Sequence, residues 1–109
     1  MHEMGITQSI IAIVSENADS KKVSRVLLEI GKLSAIMPDA IRFCFDVCAK
    51  GTVLDGATLE ILEIEGRAEC NDCGNQIVLK QLAGHCSCGS RNLTCIAGEE
   101  LNIKEMEIA

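Results

Sequence analysis

The sequence predicts an α+β fold: two helices packed on a small mixed three-stranded sheet, with a cysteine-rich lobe inserted ahead of the last strand. Three observations carry this. Apolar residues recur at helical spacing over residues 6–18 and again from Pro38 to about Lys50. Three other stretches, 23–30, 58–65 and 100–108, are rich in branched and apolar residues and read as strands. Gly66 and Gly98 bracket a segment of different composition between the last two of these. The expected division is therefore one lobe from residues 1–66 plus 98–109 and a second from about 67–97.

In the first helix Ile6, Ile10, Ile11, Val14 and Ala18 form the apolar face, opposite Gln8, Ser9, Ser15 and Glu16. Asn17, Asp19 and Ser20 mark its stop. Residues 23–30 (VSRVLLEI) alternate through Val26, Leu28 and Ile30 and end at Gly31. Pro38 fits the first turn of the second helix, where its missing N–H costs nothing. Ile41, Cys44, Phe45 and Cys48 then fall on one face, and Lys50-Gly51 supplies a basic last turn and a glycine stop. In TLEILEIE (58–65) and ELNIKEMEI (100–108) the apolar phase slips midway, which predicts a bulge or a strand covered on both faces. Inside the inserted lobe, Gln76 to Leu79 and Asn92 to Ile96 are short strand candidates.

The inserted lobe carries the strongest chemical signal. Cys70-Asn-Asp-Cys73 and His85-Cys86-Ser-Cys88 flank a short strand-like segment, and each ends in glycine, Gly74 and Gly89. Zinc takes four ligands tetrahedrally, and two tight turns with paired donors supply the shell; this spacing reads as a zinc ribbon. The glycines relieve the turns' demand for positive φ and let backbone N–H groups approach the sulfurs. Cys70, Cys73 and Cys88 are fixed by the pattern. The fourth donor is either Cys86, the softer anionic ligand, or His85, which matches the frame of the first pair. The donor left over could exchange in with pH or redox state. With four ligands no position stays open for water, so this zinc is structural. Cys95, on the far strand, is expected to pack as a small hydrophobe, and Cys44 and Cys48 to belong to the core.

Composition narrows the function. The chain has 109 residues, a net charge of −6 and only two aromatics, Phe43 and Phe45, so the core is aliphatic. An acidic chain with scattered basic residues is not a nucleic-acid binder, because phosphate affinity comes from Lys and Arg. No stretch reaches the length of a membrane span, and MHEMGITQS lacks the basic start and apolar run of a signal peptide. Seven cysteines in such a chain point to a reduced, cytoplasmic setting and to metal binding rather than disulfides. No Ser/His/Asp or Cys/His catalytic arrangement is present, and an enzyme is not expected.

The start, Met1-His2-Glu3, offers a second kind of site. The terminal amine, the amide nitrogens of His2 and Glu3 and the His2 imidazole can present up to four nitrogens in one plane, a geometry suited to Ni(II) or Cu(II) rather than Zn(II). MHEMGITQSI, LLEIGKLSAIMPDAIRFCFDV, KGTVLDGATLEILEIEGRAEC and CNDCG together resemble the hydrogenase nickel-incorporation family, HypA (also called HybF), over essentially the whole chain. The resemblance implies a nickel metallochaperone for maturation of [NiFe] hydrogenase, in some organisms also of urease. It implies nickel on Met1, His2 and Glu3 and a structural zinc on the ribbon. The partners it implies are the maturation GTPase HypB and the hydrogenase large subunit, with room for a homodimer. The chain departs from the family where a second Cys-x-x-Cys is usual, since His85 fills that slot and Cys86 is shifted by one. The rival reading is a zinc-ribbon protein-interaction adaptor that transfers no nickel.

Overall fold

The structure, a computed structural model, describes residues 2–109, and for His2 the backbone only. In chain order the elements are α1 (His2–Ala18), β1 (Val23–Gly31), α2 (Pro38–Cys48), β2 (Thr58–Ile64), β3 (Gly66–Cys70), β4 (Gln76–Leu79), β5 (Leu93–Ala97) and β6 (Leu101–Ile108). They form two three-stranded sheets, ordered β2-β1-β6 and β4-β3-β5. The fold is α+β. Among the described residues no helix is long and apolar enough to cross a membrane.

Helix α1 begins a full turn before the apolar pattern does. Its first turn carries Glu3, an acid at the positive end of the helix dipole, and the Thr7 hydroxyl donates back to the Glu3 carbonyl at 2.6 Å. The polar pair at 2–3 and Gly5 hide this turn from a hydrophobic count. The stop falls as the sequence predicts: Asp19 and Ser20 take left-handed φ of 51° and 67°, and the Lys21 N–H closes on the Ala18 carbonyl at 3.0 Å. In β1 the predicted alternation holds, with Val26, Leu28 and Ile30 buried. Met37, held extended at φ −90°, ψ 115° by the proline after it, precedes α2, and Pro38 occupies the first turn.

By contacts the chain divides into two compact units, Met1–Glu29 with Ile36–Leu62 and Asn102–Ala109, and Ile30–Ala35 with Glu63–Leu101. The first holds an aliphatic core from α1 (Ile10, Ile11, Val14, Ala18), β1 (Val23, Val26, Leu28), α2 (Ile41, Cys44, Phe45) and the following loop (Ala49, Leu54). On the other face of the sheet Arg25, from the central strand, bonds Glu60 on β2 and both Glu105 (3.2 Å) and Glu107 (3.0 Å) on β6. That guanidinium holds the Glu107 carboxyl below its ordinary range. The second unit draws in Ile30–Ala35 as well as Glu63–Leu101. The Lys32 N–H donates to the Ile64 carbonyl and the Leu33 N–H to the Gly98 carbonyl, and the Leu33 side chain packs with Ala68 and Leu79.

Three expectations need correction. Residues 66–70 form a strand that the sequence reading missed, because Gly-Arg-Ala-Glu-Cys has neither bulk nor branching; only its strict alternation, with Gly66, Ala68 and Cys70 buried, betrays it. Strands β2 and β6 are not covered on both faces. Both are sheet edges and neither contains a buried residue. Cys95 is exposed, with its thiol on the Ala97 carbonyl, since the small core of Leu33, Ala68 and Leu79 does not reach it.

Gly31 marks where β1 enters the second unit. A Cβ there would lie 2.0 Å from the Gly98 carbonyl oxygen and 2.6 Å from the Glu100 nitrogen, while the Gly31 N–H donates to the Glu100 carbonyl at 2.8 Å. Gly31→Ala should cost at or above the upper end of the roughly 1–3 kcal/mol seen for overpacking, since backbone must give way. Gly5→Ala, in α1 with nothing within 4 Å of the new Cβ, should instead stabilise by about 0.5–1 kcal/mol. Urea unfolding of the two variants side by side checks both signs.

Candidate metal centre

The site is built on β3. This central strand pairs antiparallel with β4 (Gly66↔Leu79 to Glu69↔Gln76) and with β5 (Cys70↔Leu93, with an irregularity between Arg67 and Ala68). Its last residue, Cys70, enters the first turn. The Cys70 N–H donates to the Asn75 carbonyl and the Gly74 N–H to the Cys70 carbonyl, each at 2.8 Å. Gly74 sits at φ +80°, a conformation that a side chain would strain. The second turn repeats this pattern one residue tighter. The Cys86 N–H donates to the Ser90 carbonyl, the Gly89 N–H donates to the Cys86 carbonyl, and Gly89 has φ +92°. In this frame Cys86 plays the part of Cys70: both are buried, whereas Cys73 and Cys88 are exposed.

The two turns bring four sulfurs together. The Sγ atoms of Cys70, Cys73, Cys86 and Cys88 all lie within 4.8 Å of one another, with Cys70 to Cys88 at 3.7 Å and Cys73 to Cys86 at 3.6 Å. These separations are far too long for a disulfide, about 2.05 Å. They fit a tetrahedral ion: sulfurs each about 2.3 Å from one zinc stand about 3.8 Å apart. His85, the alternative fourth donor, is exposed and lies outside this group.

Electrostatics prepare the cluster for a cation. The Cys73 N–H pointing at the Cys70 sulfur draws that thiol down to about 6, against burial, helped by the Asp72 N–H. Cys86 is lowered likewise, first by the Cys88 N–H. The Asn75 N–H pulls Cys73 down, but the crowding of Cys70 and Cys86 outweighs it and pushes Cys73 up to about 12. Cys88 is also raised, since the Ser90 N–H is outweighed by Cys70 and Cys86. Four thiols cannot all ionise so close together without a positive charge among them. An all-sulfur tetrahedral donor set matches Zn(II) and leaves no coordination position for water.

Of the N-terminal donors, Met1 and the His2 imidazole lie outside the described residues. Glu3 is half-buried, and its carboxylate accepts the Met37 N–H, at the start of α2, at 3.5 Å. One neighbour escaped the sequence reading. The Cys48 thiol, half-buried where Cys44 alone of the pair joins the core, donates to the Met4 sulfur at 3.2 Å, a contact 44 residues apart that no local spacing encodes.

Comparison with known proteins agrees with this architecture. The family described as hydrogenase/urease nickel incorporation, metallochaperone, HypA matches residues 1–108. The hydrogenase maturation factor HypA of Nostoc punctiforme is 68% identical over 108 residues, 99% of this chain and 96% of the relative. That of Geobacter metallireducens is 44% identical over 99% of both chains. Among solved structures, a HypA protein in solution superposes with a TM-score of 0.75 at 29% identity, covering 100% of this chain and 97% of the other. The Ni metallochaperone HypA from Helicobacter pylori does so at 0.70 and 28% identity, covering 97% and 96%. With a match to the family over residues 1–108 and a relative 68% identical over 99% of its length, the chain belongs to the HypA family of nickel-incorporation metallochaperones.

Proposed function

We propose that this chain is a non-enzymatic nickel carrier that takes Ni(II) at its N-terminus and delivers it during maturation of [NiFe] hydrogenase. The observation that carries the reading is the match of residues 1–108 to a nickel-incorporation family. Nickel is held by the Met1 amine, the His2 imidazole and the amide nitrogens of His2 and Glu3, with the Glu3 carboxylate close by. Helix α1 starting at His2 supports this, because the first N–H groups of a helix have no intrahelical acceptor. Replacing their protons with a metal therefore breaks no helical hydrogen bond, and the positive end of the dipole favours the resulting amide anions. Planar nitrogen ligation selects nickel over zinc by geometry. Transfer proceeds by ligand exchange in a complex with the GTPase HypB or the immature hydrogenase large subunit, in a cytoplasmic setting; urease is a second client class and a homodimer the simplest assembly. Zinc, on Cys70, Cys73, Cys86 and Cys88, supplies shape and no reaction.

His2→Ala should abolish nickel binding while the zinc content and far-ultraviolet circular dichroism stay unchanged. An N-terminal tag on the wild-type chain should do the same, whereas an adaptor that handles no nickel would be indifferent to both. Isothermal titration with Ni(II) reads the result, and undiminished nickel uptake by either protein would sink the site. Cys73→Ala should lose zinc and leave amides of the second unit exchanging freely, since a metal site of this kind contributes folding free energy directly. At neutral pH Cys73, raised to about 12, still carries its proton, as does the raised Cys88, while Cys70 at about 6 has largely lost its own. Zinc must displace the protons that remain, so zinc addition should acidify a weakly buffered solution and zinc affinity should fall as pH falls. Competition with a chelator of known affinity between pH 6 and 8 measures the slope.

A further inference from the structure

The residues between and after the four cysteines are linked by side chains that cross from one turn to the other. The Ser90 hydroxyl donates to the Asp72 carboxylate. Asn71 donates from Nδ2 to Asn92 Oδ1 at 3.0 Å, and the Thr94 hydroxyl donates to Asn71 Oδ1 at 3.1 Å. The Asn92 N–H donates to the Ser90 hydroxyl oxygen at 3.0 Å, and the Asn71 N–H to the Asn92 carbonyl at 2.9 Å. Asn71 and Asp72 are the two residues inside the first cysteine pair, and Ser90 and Asn92 follow the second.

What these links hold is specific. The Asp72 N–H faces the Cys70 sulfur, and the Ser90 N–H faces the Cys88 sulfur. Each residue is thus a sulfur-facing backbone donor, one per turn, and the Asp72–Ser90 bond joins the two. Cys70 and Cys88 are themselves one of the close sulfur pairs, at 3.7 Å. A carboxylate carries the wrong charge to stand beside four thiolates. Its use here is as a strong acceptor, since a hydrogen bond to an ionised group is roughly twice as strong as a neutral one. The hydrophobic core of this unit, Leu33, Ala68 and Leu79 with Ile77 and Leu93 partly buried around it, contains no residue of either turn.

We propose that Asp72, Ser90, Asn71 and Asn92 are positioning residues for the four-cysteine centre, clasping the two turns together independently of the metal and slowing the metal's escape. The inference rests on the reading of the four cysteines as a zinc site. It is tested on the full, untagged chain loaded with Zn(II) and challenged with excess chromogenic chelator, as wild type, Asp72→Ala, Ser90→Ala, the double variant and Ser90→Thr. Each alanine variant should release zinc roughly tenfold faster or more, within the ~10–100-fold range of residues that support metal ligands. The double variant should be no faster than the faster single one, because both break the same link. Ser90→Thr, which keeps the hydroxyl, should restore slow release. The Co(II)-substituted forms should all keep the absorption bands of a four-sulfur tetrahedral site, separating loss of the clasp from loss of a ligand. Wild-type release rates in both single variants, or multiplying effects in the double, would overturn the proposal. If Ser90→Ala does not load cobalt at all, Ser90→Thr must load it, and failure of both overturns the clasp as well. A wild-type chain without the four-sulfur cobalt spectrum would remove the zinc reading itself.

Discussion

The convergence of four sulfurs is the constraint on which the second unit depends. Its hydrophobic cluster is Leu33, Ala68 and Leu79, with Ile77 and Leu93 partly buried around them, a small core of the kind that short lobes commonly supplement with a metal. Both cysteine turns lie beyond that core, and they bring their four sulfurs within 4.8 Å of one another, a spacing that fits one tetrahedral ion. Two backbone bonds shape each turn, a glycine at positive φ finishes it, and N–H groups aim at sulfur. Backbone N–H groups pull Cys70 and Cys86 down, and the crowding of neighbouring sulfurs pushes Cys73 and Cys88 up.

The first unit is organised differently, by burial of aliphatic side chains on the inner face of β1 and of both helices. It also carries a polar bridge near the amino end. Helix α1 runs from residue 2, and Glu3 bridges from its first turn to the backbone at the start of α2. Helix α2 also meets α1 through Cys48 and Met4, so the neighbourhood of the amino end is braced from two points.

Much of this was legible in the sequence because the physics is local. Period-3.6 apolar spacing, a proline at a first turn, Asp19-Ser20 at a left-handed stop and β-branched alternation through Val26, Leu28 and Ile30 each depend on neighbours a few residues away. The four cysteines were legible for the same reason, as was the choice confronting His85 and Cys86. That Cys86 and not His85 lies with the other three sulfurs follows from the chain's path, where the second turn places Cys86 as the first places Cys70. Strand β3 stayed hidden because its residues are chosen for smallness rather than strand propensity. Gly66 sits where the Leu79 carbonyl and the Leu33 side chain leave no space for a Cβ, and Ala68 is fully buried in the cluster with Leu33. The exposure of Cys95 and the contacts of Met4 and Asp72 are products of tertiary structure, and no spacing rule reports them.

The burial of the four thiols alternates, with Cys70 and Cys86 inside and Cys73 and Cys88 at the surface. A diffusing oxidant or electrophile therefore meets the cluster through one outward sulfur on each arm, never through the two that anchor the arms to the sheet. Chemical injury would begin at the rim and strip one donor from either turn while its inner companion stayed sheltered. Damage so distributed leaves half of each arm's grip in place, and a reductant arriving from solvent has the same open path to repair it.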